Sequence, residues 1–358
     1  MTTLPESVVP RVSVIIPAFN AAVYLTAALE SVQQQTVQAF EVVVVDDGST
    51  DGTFQMATDF ARRDPRVRVI RQENGGIGKA RNAALTGARG EWIALLDSDD
   101  IWLPHYLEEQ LEILRQRPDL DILSANAINL GGVWDGRPYK PTDGPVVDLS
   151  LLDLIRTEDS VCILSMFRRD ILRDIGMFDE KMRGSEDYDF WLRAAAVGRR
   201  IAFNPTPLAM YRRRADSVSA DEMRMLDAIV IPLHRIRAIR EDDEAVKRAI
   251  DQQLARFSRR RLVVAARTAL LEQDRAALRS HFAELHAATG KHRYRVAQWL
   301  STSLPSALVW LYRCKEWWVR RIARYRRPSG QSPLPTGGPR QVETGKRVAM
   351  KQGFKGAP

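Results

Sequence analysis

Short apolar runs alternate with segments of helical periodicity along the first third of the chain. Residues 12–16 (VSVII) are β-branched and stop at Pro17 and Asn20, a strand with its end signal. In 21–37, Val23, Leu25, Leu29 and Val32 recur at helical spacing. A strand is predicted over 40–47 (FEVVVVDD), a helix over 53–63, and a strand over 67–72 (VRVIRQ). Residues 73–90 (ENGGIGKARNAALTGARG) read as a Gly-rich loop entering a helix, and 91–100 (EWIALLDSDD) as another strand. A helix over 103–118 follows, with Pro104 at its tolerant first turn, then a strand over 120–126. The runs VVVV and VRVI lack polar alternation, as strands do when helices cover both sheet faces. The prediction is an open, mostly parallel α/β sheet, which binds ligands beyond the carboxyl ends of its strands.

From 128 to 220 the elements are mixed. A Gly- and Pro-rich loop (131–145) precedes the apolar run SVCILSMF (160–167), the segment GMFDEKMRGSEDYDFWLRAAAVG (176–198) and a strand-like stretch over 199–213. Residues 221–300 read as a helical module for packing or capping, with no chemical motif. Within 301–327, Leu311, Cys314, Trp318, Ile322 and Tyr325 share one helical face, and Arg313, Glu316, Arg320, Arg324 and Arg327 share another. An aromatic face backed by arginines predicts an interfacial helix on an anionic membrane surface. Docking against the α/β domain is the alternative. Residues 328–358 have the composition of a disordered basic tail.

Length and charge refine this picture. The chain has 358 residues, enough for one α/β domain of about 200–250 residues and a smaller helical part. Its net charge of +8 suggests nucleic acid until it is located. From Arg313 onward lie 12 of the 53 Lys/Arg and 2 of the 45 Asp/Glu, so the remainder is close to neutral and nucleic-acid binding is not expected. Two cysteines, Cys162 and Cys314, argue against a disulfide framework or a thiolate metal site. The polar, acidic start is a poor signal peptide, and no apolar stretch approaches the ~20 residues of a membrane span. The expected location is cytoplasmic, peripheral at the inner face of the membrane.

The candidate chemistry lies in repeated acid. Two buried strands end in carboxylates, Asp46-Asp47 and Asp97-Ser98-Asp99-Asp100. In an extended segment Asp97 and Asp99 point the same way and could share a hard divalent cation, while Asp100 points elsewhere. Turn and N-cap roles are the alternative. There is no HExxH and no clustered histidine or cysteine, which argues against zinc. In NGGIGKARN, Lys79 and Arg81 occupy the first helical turns, where cations oppose the helix dipole and an anionic ligand would explain them. The segment fits neither the GxxxxGK[ST] nor the GxGxxG pattern, so a nucleoside triphosphatase and a dehydrogenase lose ground. Acids on one loop and cations on the next suit a diphosphate with a metal. In GSEDYDFWLR, Asp187 or Glu186 either caps a helix or accepts a proton from a substrate hydroxyl.

Five segments, VSVIIPAFN, VVVVDDGSTDGT, NGGIGKARN, WIALLDSDD and GSEDYDFWLR, resemble in order and separation the family 2 glycosyltransferases of the GT-A fold. The likeness spans about 11–215. It implies that Pro17, Ala18 and Phe19 line a nucleotide pocket and that Asp46, with Asp47 beside it, bonds the base. Lys79 and Arg81 would lie near the diphosphate. Asp97-Ser98-Asp99 would be the DxD motif, with Asp99 the ligand of Mg2+ or Mn2+ and Asp97 supporting donor and metal. Asp187, with Glu186, would be the catalytic base. The implied domains are a nucleotide half (about 11–127) and an acceptor half (about 128–220).

The resemblance implies an inverting transfer from a nucleotide-sugar donor, most often a UDP-sugar, to a glycan or lipid-linked acceptor of surface polysaccharide synthesis. A QxxRW signature is missing, which favours single transfers over processive polymerisation. A sugar-nucleotide nucleotidyltransferase would carry a Gly-rich basic loop after the first strand, where this chain has PAFNAAVYL. A non-catalytic carbohydrate-binding relative would be expected to lose Asp99 or Asp187.

Overall fold

A computed structural model describes residues 10–303, apart from 215–216 and 218–219, together with residue 312. In chain order the elements are β1 (Val12–Ala18), α1 (Leu25–Gln33), β2 (Phe40–Asp46), α2 (Thr53–Arg63), β3 (Val67–Arg71), α3 (Ile77–Thr86), β4 (Trp92–Leu95) and β5 (Ile101–Trp102). They continue as α4 (Tyr106–Gln116), β6 (Ile122–Leu130), β7 (Val147–Leu149), α5 (Leu151–Arg156), β8 (Ser165–Arg168), α6 (Leu172–Ile175), α7 (Glu186–Ala196) and β9 (Ile201–Arg212). The helices α8 (Glu222–Ile239), α9 (Glu244–Leu271), α10 (Arg275–Thr289) and α11 (His292–Ser303) complete the described chain.

The strands form one mixed sheet in the order β3-β2-β1-β4-β8-β6-β9-β5, with β7 on β9. β1, β2, β3, β4, β6 and β9 run one way, and β5, β7 and β8 run the other. Every residue of β1 and β2 is buried, consistent with helices on both faces. The sheet is therefore the predicted mixed, mostly parallel one. Its junction, where antiparallel β8 separates β4 from β6, was not predicted. β9 carries Pro205 and Pro207, which a strand tolerates where the ladder is irregular. The β6–β9 register slips around Asn126, whose buried amide donates to Pro205 O at 2.9 Å and so satisfies the interrupted backbone.

One local prediction shifts. Val23 is 85% exposed and lies before α1, because the chain turns over 20–24. In the C-terminal part, α8 and most of α9 share the main core through Leu226, Ile229, Leu233, Ile236, Ile250 and Phe257. At roughly 1.5–3 kcal/mol per buried apolar side chain, this face binds α8 and α9 to the sheet domain. A second cluster, around Leu270, Leu278 and Leu285, begins near the end of α9. The helix expected over 307–327 and the tail beyond it lie outside the described residues, apart from Tyr312, which packs against this second cluster. No helix among the described residues is long and apolar enough to cross a membrane.

Candidate active site

The carboxyl edge of the parallel strands gathers the candidate residues. β1 ends in Pro17 and Ala18, both buried, and Phe19 emerges 51% exposed. Asn20 has a positive φ of 48°, which Asn tolerates better than most residues. Its Oδ1 accepts from Thr50 N at 2.9 Å and its own N–H donates to Ser49 Oγ at 3.0 Å, joining the loops after β1 and β2. Gly48 needs its small size, since a Cβ there would sit 2.7 Å from Asn74 N.

The two acids ending β2 have different tasks. Asp46 is fully buried, and neither carboxylate oxygen has a hydrogen-bond partner. Arg71 approaches it, with Nε 3.2 Å from Oδ2. Asp47 instead accepts from Gly75 N at 2.9 Å, Gly76 N at 2.8 Å and Gln72 Nε2 at 2.7 Å. Its carboxylate thus holds the Gly-rich loop in place. Between these loops lies a cavity lined by Gly48, Arg71, Gln72, Glu73 and Asn74.

Arg81 is the centre of the site. It is 2% exposed and points from α3 between two acidic segments. Nη1 donates to Glu186 Oε1 at 2.6 Å and Nη2 to Asp97 Oδ1 at 2.8 Å. Burial works to lower its pKa, but Asp97, Glu186 and Asp187 outweigh it and hold the guanidinium charged. Lys79 is exposed, and its stem crosses Gly75.

The segment after β4 crowds three acids together, of which Asp97 meets Arg81 and Asp99 meets Arg214. Burial, and then Asp97, raise Asp99, while Arg214 Nη1 at 3.3 Å from its Oδ2 opposes them. Asp100 is buried, where its Oδ1 accepts from Arg212 N at 2.7 Å and its Oδ2 has no hydrogen-bond partner. Burial, Asp97 and Asp99 push it well above the usual carboxylate range. Ser98 is half-buried between the two acids. Such an all-oxygen donor set with crowded negative charge fits a hard divalent cation. Among the described residues no group of three or more His, Cys, Asp or Glu is arranged to hold a metal.

At the start of α7, Ser185 is buried with φ 56° and ψ 22°, a left-handed conformation that costs a non-glycine residue about 1–3 kcal/mol. The bend turns Glu186 onto Arg81 and leaves Asp187 half-buried beside it. Burial, followed by repulsion from Glu186, pushes Asp187 up to about 6, while Arg81 pulls the other way. Strain and a raised carboxyl pKa coincide here, as they do at functional sites.

Arg81 thus brings Asp97 and the Glu186-Asp187 pair together, and Asp99 and Asp100 lie on the same loop as Asp97. Asp46 and Asp47 form the adjoining wall. Sequence reasoning missed Arg212 and Arg214, which stack on Tyr24 at 4.9 and 4.6 Å and meet the Asp99 segment. The run Tyr-Arg-Arg-Arg at 211–214, at the end of a strand, was their available signal.

Comparisons with known proteins give the family and the fold. The sequence pattern of the family described as "Glycosyl transferase family 2" matches residues 13–176. The chain is 30% identical over 227 residues to the glycosyltransferase GlyG of Streptococcus pneumoniae serotype 4, covering 59% of this chain and 73% of GlyG. It belongs to the family 2 glycosyltransferases.

An uncharacterized glycosyltransferase of Rickettsia typhi is 30% identical over 193 residues, and the match covers 52% of this chain and only 59% of that protein. Among solved structures, S. aureus TarS 1–349 in complex with UDP-GlcNAc superposes with a TM-score of 0.59 at 23% identity, over 88% of this chain and 92% of that one. Mannosyltransferase PcManGT from Pyrobaculum calidifontis, in complex with GDP-Man and Mn2+, gives 0.55 at 22%, over 88% and 86%. At these identities the likeness establishes a common GT-A fold.

Proposed function

We propose that the protein is an inverting glycosyltransferase that moves a sugar from a nucleoside-diphosphate donor, a UDP-sugar first, to a hydroxyl of a glycan or lipid-linked acceptor. The observation that carries this reading is the convergence on Arg81 of Asp97 and the Glu186-Asp187 pair. Asp46 offers a buried carboxylate without hydrogen bonds to the N–H of a base, and Pro17, Ala18 and Phe19 form the neighbouring rim. Asp47 shapes the Gly-rich loop, and Lys79 and Arg81 supply positive charge near the diphosphate.

Asp99, supported by Asp97 and Ser98, would hold Mg2+ or Mn2+. That ion, when bound, neutralises charge on the departing diphosphate. The part of this chain is to hold the acids in place and to take the proton. Asp187 accepts it from the acceptor hydroxyl as oxygen attacks the anomeric carbon and the bond to the diphosphate breaks. A carboxyl pushed up to about 6 is a stronger base than an ordinary Asp yet is ionised at neutral pH. Glu186 keeps Arg81 in register. One displacement without an enzyme nucleophile inverts the anomeric centre.

We place the nucleotide half at 11–127 and the acceptor half at 128–220. We further propose that 307–327 lies on an anionic membrane surface at the inner face of the membrane. A thermal-shift screen of UDP, GDP and dTDP with and without Mn2+, followed by donor hydrolysis, tests the core of the reading. Stabilisation by one nucleotide that depends on Mn2+ is expected. No response to any of the three would sink it. Flotation with phosphatidylserine vesicles tests the membrane assignment.

A further inference from the structure

The first turn of α7 carries more than the Glu186-Asp187 pair. Asp189 is completely buried, yet both of its oxygens are engaged by guanidinium groups. Arg193 Nε donates to Oδ2 at 2.7 Å, and Arg235 Nη1 reaches Oδ1 from α8. The other end of the same Arg235 fork donates to Asp179 Oδ2 at 2.6 Å. A bidentate guanidinium bridging two carboxylates fixes both in orientation as well as in distance.

The bridge closes a ring that returns to the active site. Asp179 lies in the segment before α7, and next to it Phe178 exchanges hydrogen bonds with Asn82 of α3, at 2.9 and 3.0 Å. Arg81, adjacent to Asn82, stacks over the Phe178 ring at 5.5 Å and donates to Glu186. The path therefore runs from Arg81 to Glu186, one helical turn along to Asp189, across Arg235 to Asp179, and back through Phe178 and Asn82. A second tie from α8 supports it, since Arg224 Nε donates to Arg183 O at 2.7 Å beside the strained Ser185. Arg183 in turn donates to Gly75 O at 3.2 Å, in the Gly-rich loop.

We infer that Arg235 is a positioning residue: through Asp189 and Asp179 it fixes the first turn of α7, and so the placement of Asp187 against Arg81 and Asp97. The inference rests on the reading of Asp187 as the base. It gives α8, which carries no chemical motif of its own, a part in the reaction geometry. A lysine at 235 would offer a point charge on a flexible stem in place of the rigid fork that spans the two carboxylates.

The test compares the full chain with Arg235→Met, Arg235→Lys and the milder Asp179→Asn. Calorimetry measures the affinity for UDP with Mn2+, and hydrogen exchange follows the amides of residues 178–190. Turnover is read with the donor selected by the nucleotide screen. Arg235→Met is expected to keep UDP affinity within about threefold, to lose about 10- to 100-fold in kcat, and to exchange faster over 178–190 before the rest of the chain. Arg235→Lys and Asp179→Asn should fall between it and the parent. Unchanged exchange over 178–190, or a uniform rise along α8 and α9 with kcat retained, overturns the inference. Should Asp187→Asn turn over like the parent, the base assignment fails, while exchange over 178–190 still reports whether Arg235 holds α7.

Discussion

The two edges of the sheet use the same residue types in opposite ways. At the amino ends of the strands, carboxylates are paired. Burial works to raise Glu41, but hydrogen bonds from Ser13 Oγ at 2.7 Å and from Arg89 outweigh it and hold it below the usual range. Asp121 receives Arg199 Nη1 and Arg200 N, each at 2.8 Å. Arg117 lowers Asp119. At the carboxyl ends, burial and like charges instead raise Asp99, Asp100 and Asp187, and Asp46 has no hydrogen bond. Acids held low by hydrogen bonds are those of a structural edge, whereas crowded acids held high mark an edge built for something else to bind.

That contrast can be broken experimentally. The largest effect is expected for Asp187→Asn, a loss of about 10²–10⁴-fold in transfer with UDP affinity little changed. Joint loss of both in a titration of UDP would make Asp187 a structural cap. Next, Asp99→Ala should weaken UDP binding about 10-fold in Mn2+ and hardly at all in EDTA. Equal affinities in the parent protein with and without metal would remove that role.

At the amino edge, Glu41→Gln should cost about 1–2 kcal/mol in urea unfolding and leave UDP affinity alone. Because Glu41 is held low, its contribution is present above its unfolded pKa and is lost on acidification through the folded one.

The smallest effect concerns Asp187 again, with the opposite sign. Its folded pKa is raised to about 6, so its favourable contribution is complete below the unfolded value and is lost as pH rises through about 6. Asp187→Asn should therefore be more stable than the parent at pH 7.5 and no different near pH 3.5. The same ionisation predicts that transfer rises with pH through about 6. A flat rate from pH 5 to 8 contradicts it.

Much of this edge was legible in the chain. Strand ends are local events: an apolar β-branched run stops where Asp46-Asp47 or Asp97 begins, and the structure ends β2 and β4 there or within two residues. Residues 97–100 form a turn rather than the extended segment expected, closed by Asp100 N donating to Asp97 O at 3.0 Å. Less visible were the antiparallel β8 inserted between β4 and β6 and the two-residue β5, whose pairing depends on strands distant in the chain. Asp47 and Asp46, adjacent and chemically alike, could not be told apart until Gly75 and Gly76 came within reach of only one of them.

The sequence by itself determined which residues carry charge at the strand ends, and with them the family, because apolar periodicity and short motifs depend on neighbours only a few positions away. Only the tertiary structure decided which of those charges are satisfied. Arg81 meets Glu186 at a sequence separation of 105 and Arg235 meets Asp189 at 46, and whether a buried carboxylate finds a partner depends on packing between helices and strands that no local pattern encodes.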